Sequence, residues 1–147
     1  MAKLKIVRDE EFLRKKSKPV TVFDGRLCQL IDDMFDTLRS ADGLGLAAVQ
    51  VGVLYRVCLV ATNNGMVELV NPEIIEMKNL KIGEEGCLSV PRVHGNVERP
   101  HHVTVRAFGR YGKEFTVTFE KISAVCICHE IDHMDGILFT DRVIKKA

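Results

Sequence analysis

The chain has 147 residues, too few for two ordinary domains, and 46% of them are hydrophobic, enough for one substantial core, so we predict a single domain over residues 1–147. Its 21 basic and 20 acidic residues nearly cancel and form no long basic block, which excludes nucleic acid as the expected substrate. Without a signal-peptide core or an apolar run long enough to span a membrane, the protein is expected to be soluble and cytoplasmic.

Two helices are predicted in the first third of the chain. Asp9, followed by EEFLRKK, is typical of a short capped helical turn with acidic residues at its start and basic residues at its end. A longer helix is predicted after Asp24, running to about Ala41, because apolar residues recur at helical spacing. These residues are Leu27, Leu30, Ile31, Met34 and Leu38.

Strands are predicted in the middle of the chain. A glycine-rich loop over 43–52 precedes a strand over 55–62, and a turn leads to a further strand over 66–70. Asn71-Pro72 is expected to interrupt the pairing before another strand over 73–77. The segment from Glu84 to Ser89 is predicted to be a loop or an edge strand.

The last part of the chain is predicted to contain a hairpin and one more helix. Residues 103–108 and 114–120 alternate apolar and polar side chains around a glycine-containing turn. A helix then begins near Lys121 and ends at Gly136. We therefore predict an α+β fold in which antiparallel strands pack around this central helix, with another helix nearer the N-terminus.

The central helix carries the motif HExxH at His129, Glu130 and His133. Residues four apart lie on one helical face, about 6 Å apart along the axis, so the two histidines can hold one metal ion. Glu130 can lie beside the ion without binding it, which is the place of a general base acting on water. A random match in a chain of this composition arises about one per cent of the time, and apolar neighbours on more than one face disfavour an ordinary surface helix.

A catalytic metal centre needs a third protein ligand. No His or Glu follows His133, so the downstream ligand of zinc proteases is not expected here. In a chain without a signal peptide the five cysteines are expected to be free thiols, and two of them compete for the role. Cys126 and His133 are separated by about 10.5 Å of helical rise, a long span for one ion, so Cys87 is the predicted ligand and Cys126 part of a pocket wall.

Three stretches, GLGLAAVQ at 43–50, EGCLS at 85–89 and HEIDH at 129–133, occur in this order. Together they resemble the three motifs of the peptide deformylases of bacterial type, and the resemblance extends over nearly the whole chain. It implies a hydrolase that removes formate from the N-formylmethionine of new polypeptides. It also implies a metal ion held by Cys87, His129 and His133.

The resemblance implies roles for further residues. Glu130 is the acid and base, while the side chain of Gln50 and the backbone N–H of Leu88 face the developing oxyanion. Substrate contacts are implied for the backbone and for an apolar methionine pocket. The residues concerned are Leu44, Gly45, Gly86, Ile122, Val125 and Cys126.

The resemblance also implies cofactor and partners. Deformylases of this kind use one divalent ion, Fe(II) for best activity, with zinc, nickel or cobalt as replacements. The partners are N-formyl-methionyl nascent polypeptides, without direct nucleic-acid or membrane recognition. A transient contact with the ribosome is also implied; in some members a C-terminal helical extension makes this contact, and no stretch of this chain matches that extension, which leaves ribosome docking open.

Two other functions fit parts of the sequence. One is an HExxH metallopeptidase, which would cleave an internal bond and release no formate. The other is a non-catalytic metal-binding or peptide-binding module, which would have no need for the acid and base Glu130. The chain departs from the common family pattern at Val49 and Cys128, where proline and glutamine are frequent, and neither position is catalytic.

Overall fold

The computed structural model describes residues 3–144. Its helices are α1 (Glu10–Leu13), α2 (Gly25–Ala41) and α3 (Ile122–Met134). Its strands are β1 (Gly45–Ala47), β2 (Val57–Thr62), β3 (Gly65–Cys87), β4 (Val90–Phe108) and β5 (Glu114–Glu120). Two 3₁₀ turns, Ala48–Val51 and Phe139–Asp141, complete the elements of this part of the chain.

The five strands form one antiparallel sheet in chain order, β1-β2-β3-β4-β5. Helix α3, which carries HExxH, contacts β1, β2, β4 and β5. The predicted α+β fold with antiparallel strands around the HExxH helix is therefore confirmed. Strand β1 is one edge of this sheet, so its outer backbone side faces no neighbouring strand of the sheet.

Strand β2 shows why the core has two parts. Successive side chains of a strand point to opposite faces, and here both faces are apolar. Cys58 and Val60 pack with Ile127 of α3, whereas Val57 and Leu59 pack with the apolar face of α2. The sheet thus lies between the two longer helices, and all four of these β2 side chains are fully buried.

The predicted helix ends agree with the structure. The side chain of Asp9 accepts a hydrogen bond from the backbone N–H of Glu11, and Asp24 caps α2 in the same manner. After α3, Gly136 has a φ of +76°, and a Cβ there would collide with the backbone of Arg14. This contact holds the end of the HExxH helix against the N-terminal part of the chain.

The strand boundaries differ from the prediction in the middle of the chain. The predicted break at Asn71-Pro72 is a register shift inside one continuous strand, β3. Asn71 has a φ of +52°, and its side chain exchanges hydrogen bonds of 2.8 and 2.9 Å with the backbone of Val20. These contacts with a distant segment allow a bulge where local propensity favours an end. The 43–52 segment is also more ordered than the predicted loop, since it forms β1 and a 3₁₀ turn.

Two further findings concern the cysteines and the helices. All five cysteines are free, as predicted. Within residues 3–144, no helix combines the length and the apolar character that crossing a membrane requires.

Candidate active site

Helix α3 and the end of β3 bring together Cys87, His129 and His133, three side chains that could hold one metal ion and that we call the metal-ligating cluster. The Nε2 atoms of His129 and His133 lie 3.2 Å apart, and Sγ of Cys87 lies 3.3 Å from Nε2 of His133. One ligand atom from each residue falls within 4.8 Å of the others. One thiol and two imidazoles at this separation could hold one divalent ion and leave a coordination position open.

The surroundings of the two histidines shift their pKa values in opposite directions. Burial lowers the pKa of His133 to about 3, so its imidazole is neutral. Burial also lowers the pKa of His129, but hydrogen bonds to Cys87 and Glu85 outweigh this effect and raise the pKa to about 10. Because a ligating imidazole must be neutral, a metal ion held at this position would displace a proton from His129.

Glu130 points into the same site from α3. Its side chain is buried, and its Oε1 atom has no hydrogen-bond partner among the described residues. Burial raises the pKa of Glu130 to about 7. A buried carboxylate with one free oxygen beside a metal-ligating cluster is well placed to exchange a proton with a reactant.

Gln50 is held in one orientation by its own segment. Its Oε1 atom accepts a hydrogen bond of 3.0 Å from the backbone N–H of Ala47, so its amide N–H₂ group faces the site. That nitrogen lies 3.5 Å from Sγ of Cys87 and 3.2 Å from Oγ of Ser89. The buried side chain is therefore presented as a hydrogen-bond donor next to the metal-ligating cluster.

These groups open into a cleft of about 400 Å³. All predicted site residues except His133 line its wall, and Nε2 of His133 lies next to Cys87 and His129, which do line it. The predicted residues that line the wall are Leu44, Gly45, Gln50, Gly86, Cys87, Leu88, Ile122, Val125, Cys126, His129 and Glu130. The structure thus brings the predicted residues into one place.

A larger cavity of about 600 Å³ lies elsewhere, at the start of α2. Its lining includes Val20, Asp24 and Tyr55, and none of the predicted site residues. Asp24 there serves as the cap of α2. Because Cys87, His129 and the buried Glu130 carboxylate all line the smaller cleft, we assign the candidate active site to that cleft.

Cys126 lies in the cleft wall, apart from the metal-ligating cluster. Its Sγ atom lies 3.4 Å from the backbone oxygen of Leu44 and 3.9 Å from Oε2 of Glu130. Burial, together with the nearby Glu130 carboxylate, raises the pKa of this thiol. A thiol that stays protonated is a poor metal ligand, which supports the predicted place of Cys126 in the pocket wall.

Sequence reasoning missed a buried group behind His129. Oε1 of Glu85 lies 3.1 Å from Nδ1 of His129, the ring nitrogen opposite the metal-ligating cluster. Arg99 holds Glu85 with two hydrogen bonds of 2.8 and 3.2 Å and also bonds to Asp132. Sequence signals for two of these residues existed, since Glu85 precedes Cys87 by two positions in a strand and Asp132 follows His129 by three in a helix.

Gly45 allows β1 to approach α3 closely. A Cβ at this position would collide with Sγ of Cys126, and it would lie only 2.6 Å from Oε2 of Glu130 and 3.1 Å from the backbone oxygen of Leu59. The glycine is therefore required by the site geometry rather than by a turn.

We predict that Gly45→Ala lowers the free energy of unfolding by about 1–3 kcal/mol, the usual effect of overpacking, and displaces Glu130. Turnover should fall together with stability. Gly83→Ala is the matched control, because a Cβ at Gly83 in the same sheet meets no atom within 4 Å. Denaturant unfolding and turnover of both variants test this, and wild-type behaviour of Gly45→Ala would contradict it.

Comparison with known proteins gives one consistent result. The family model described as polypeptide deformylase matches residues 3–147. A peptide deformylase of Caldicellulosiruptor bescii is 56% identical over 137 residues, 93% of this chain and 82% of the relative. The crystal structure of a peptide deformylase from Legionella pneumophila has a TM-score of 0.93 at 46% identity and covers 97% of this chain and 87% of that one. A Met-Ala-Ser-bound class I type b peptide deformylase from Acinetobacter baumannii has a TM-score of 0.91 at 36% identity, covering 97% of this chain and 100% of that one.

Proposed function

This chain belongs to the polypeptide deformylase family, and on that basis we propose how its residues carry out the reaction. It is accordingly a metal-dependent hydrolase that removes the N-terminal formyl group of polypeptides, and the function predicted from the motifs is confirmed. The observation that carries the residue-level proposal is the convergence of Cys87, His129 and His133 beside the buried Glu130.

We assign the metal to Cys87, His129 and His133. Three observations support this assignment. One thiol and two imidazoles are a common ligand set for a divalent ion, and their ligand atoms lie within 4.8 Å of one another. In addition, Oε1 of the neighbouring Glu130 has no hydrogen-bond partner among the described residues. When bound, a divalent ion supplies Lewis acidity that polarises a carbonyl and makes water more acidic. The chain's own contribution would be to hold the ion with three ligands, two of which line the cleft.

Glu130 is assigned the proton transfers. Its carboxylate takes a proton from the attacking water, and the oxygen of that water forms a bond to the formyl carbon. The same group then gives the proton to the amine nitrogen as the carbon–nitrogen bond breaks. Formate and a free N-terminal amine are the products. A positioned acid and base of this kind contributes about 10²- to 10⁴-fold.

Gln50 and Leu88 are assigned to the oxygen of the formyl group. The amide N–H₂ of Gln50 and the backbone N–H of Leu88 would donate hydrogen bonds as negative charge develops on that oxygen. Donors that are held in place before the reaction contribute about 3 kcal/mol each. The bond from Ala47 to Oε1 of Gln50 supports this assignment, because it keeps the donor end of the amide directed toward the cleft.

The substrate is proposed to lie along β1 as an additional strand. Because β1 is the edge of the sheet, the backbone at Leu44 and Gly45 can pair with an extended peptide, and Gly86 also lines the cleft. Ile122, Val125 and Cys126 offer an apolar wall for a methionine side chain. The Met-Ala-Ser peptide bound to the Acinetobacter relative begins with methionine, which supports this substrate class.

The test of this function is formate release from a formylated methionyl peptide, compared with the same peptide without the formyl group. We expect formate and an intact deformylated peptide from the first substrate and no product from the second. Cleavage of an internal bond without formate would instead indicate a metallopeptidase, and metal binding without turnover would indicate a binding module.

We predict that Fe(II) supports higher turnover than Zn(II), with nickel and cobalt as other replacements. Zinc is expected to bind at least as tightly in the general affinity series, so protein purified in air would hold replacement metal and turn over slowly. Anaerobic reconstitution of the apoprotein with each metal, followed by formate release, is the measurement. Equal or faster turnover with zinc would contradict the prediction.

The biological partner is proposed to be the nascent N-formyl-methionyl polypeptide. Such chains are made in the cytoplasm, so we place the activity there, with only transient contact with the ribosome. Co-sedimentation with ribosomes at low and high salt tests this proposal. Stable co-sedimentation at high salt would contradict a transient contact.

A further inference from the structure

Arg142, in the segment that follows α3, forms a two-point ion pair with Asp132 of the HExxH helix. Its Nε and Nη2 atoms lie 2.6 and 3.0 Å from the two carboxylate oxygens. The same Asp132 carboxylate accepts a hydrogen bond of 2.6 Å from Nη1 of Arg99. Asp132 therefore joins one buried guanidinium and one partly exposed guanidinium.

From Arg99 the connection continues to His129. Arg99 donates to both oxygens of Glu85, and Oε1 of Glu85 lies 3.1 Å from Nδ1 of His129. Such a partner of the second imidazole nitrogen sets the orientation of a metal-ligating ring.

When the His129 imidazole is neutral, as a metal ligand must be, the charges in this group balance only if Arg142 is counted. Glu85 and Asp132 contribute two negative charges, and Arg99 and Arg142 contribute two positive charges. The side chains of Arg99, Glu85 and Asp132 are 5%, 7% and 11% exposed, whereas that of Arg142 is 45% exposed. Without Arg142, one buried guanidinium would have to compensate two buried carboxylates, which is strongly unfavourable.

A second contact links the same segment to His129. The ring of Phe139 stacks on the His129 imidazole with a centroid distance of 6.1 Å and an interplanar angle of 23°. Phe139 is almost fully buried. The segment after α3 therefore restrains this imidazole by packing as well as through the charged group.

We propose that Arg142 is a positioning residue of the metal centre. Arg142 compensates the charge of Asp132, so that Arg99 keeps its hydrogen bonds to Glu85. Glu85 in turn holds the His129 imidazole in its ligating orientation. This proposal rests on the metal centre assigned under the proposed function, and it adds a residue that touches neither substrate nor metal.

The primary test is Co(II) affinity of Arg142→Ala, measured by chelator competition, together with the visible absorption spectrum of the bound cobalt. We expect the dissociation constant to rise about 10-fold, the lower end of the range for outer partners of metal ligands, with an altered spectrum. Arg106→Ala is the matched control, because Arg106 is 46% exposed and pairs only with surface carboxylates in the described structure. Arg142→Ala behaving like this control would overturn the proposal.

Two further variants distinguish charge compensation from a general structural effect. Arg142→Lys keeps the charge, so its affinity should stay within about twofold of the wild type, well short of the 10-fold loss. Asp132→Asn combined with Arg142→Ala removes the uncompensated charge and should regain part of the lost affinity. A lysine variant as weak as the alanine variant, or a double variant without any recovery, would overturn the proposal.

Folding and the assigned metal centre are checked in the same experiment. Circular dichroism of each variant reports folding, and Arg142→Gln replaces Arg142→Ala if the latter does not fold. Wild-type protein that binds no cobalt would contradict the metal centre itself. If the wild-type protein and Arg142→Ala bind cobalt equally well, only the role of Arg142 is contradicted.

Discussion

Replacement of Glu130 by glutamine is expected to slow formate release on the order of 10²- to 10⁴-fold while metal content and fold stay close to normal. The change keeps the size of the side chain and removes the group that takes a proton from water and gives it to the leaving amine. Glu130 is buried, and its Oε1 atom lacks a hydrogen-bond partner among residues 3–144, so no structural bond to that oxygen is lost.

Three measurements on the same preparation test this prediction: turnover, metal content and binding of a hydroxamate. The hydroxamate should still bind as a bidentate ligand, somewhat more weakly, because the carboxylate would have accepted its hydrogen bond. Glu98→Gln, the same chemical change at an exposed position of β4, is the control. Loss of metal from Glu130→Gln would make Glu130 a ligand or a structural residue. Full turnover with metal bound would rule out the proposed acid and base.

Replacement of Cys87 by alanine is expected to remove the metal and, with it, formate release. A direct ligand should matter more than its outer partners, whose loss costs about 10- to 100-fold in affinity, so we expect a loss of more than about 100-fold. The reason is geometric, since Sγ of Cys87 lies 3.3 Å from Nε2 of His133 and shares the 4.8 Å cluster with both imidazoles.

Cys126→Ala is the matched comparison, because both cysteines line the same cleft. The Cys126 thiol contacts Leu44 and Glu130 instead of the histidine pair, so its removal should leave the metal in place and change mainly the packing of the pocket. Elemental analysis of both variants decides between them. Full metal in Cys87→Ala, or its loss from Cys126→Ala, would contradict the ligand assignment.

Much of the candidate site could be predicted from the sequence because its central part is local. The spacing of His129 and His133 is set by helix geometry, and their Nε2 atoms lie 3.2 Å apart in the structure. The apolar residues on more than one face of this helix likewise argued against an ordinary surface helix, and four strands of the sheet contact it in the structure. The helical rise also separated Cys126 from the ligand set before any tertiary contact was known.

Other parts could not be predicted in this manner. The continuity of β3 through Asn71-Pro72 depends on hydrogen bonds with Val20, 51 residues away, whereas local propensity favours a break. The orientation of Gln50 depends on a bond to Ala47 that forms only when the glycine-rich segment adopts a strand followed by a 3₁₀ turn. Each of these details requires contacts that sequence spacing does not specify.

The sequence by itself determined that His129 and His133 share one helical face, the α+β class and, through three motifs, the family, because helix periodicity and motif spacing are properties of short segments. Only the tertiary structure decided what stands behind His129. Arg99 and Arg142 come from a strand and from the segment after α3, and they meet at Asp132 through side-chain contacts between separate elements. The physical reason is that charge compensation in a buried group depends on distances between elements, and these distances are set when the sheet and helix α3 pack together.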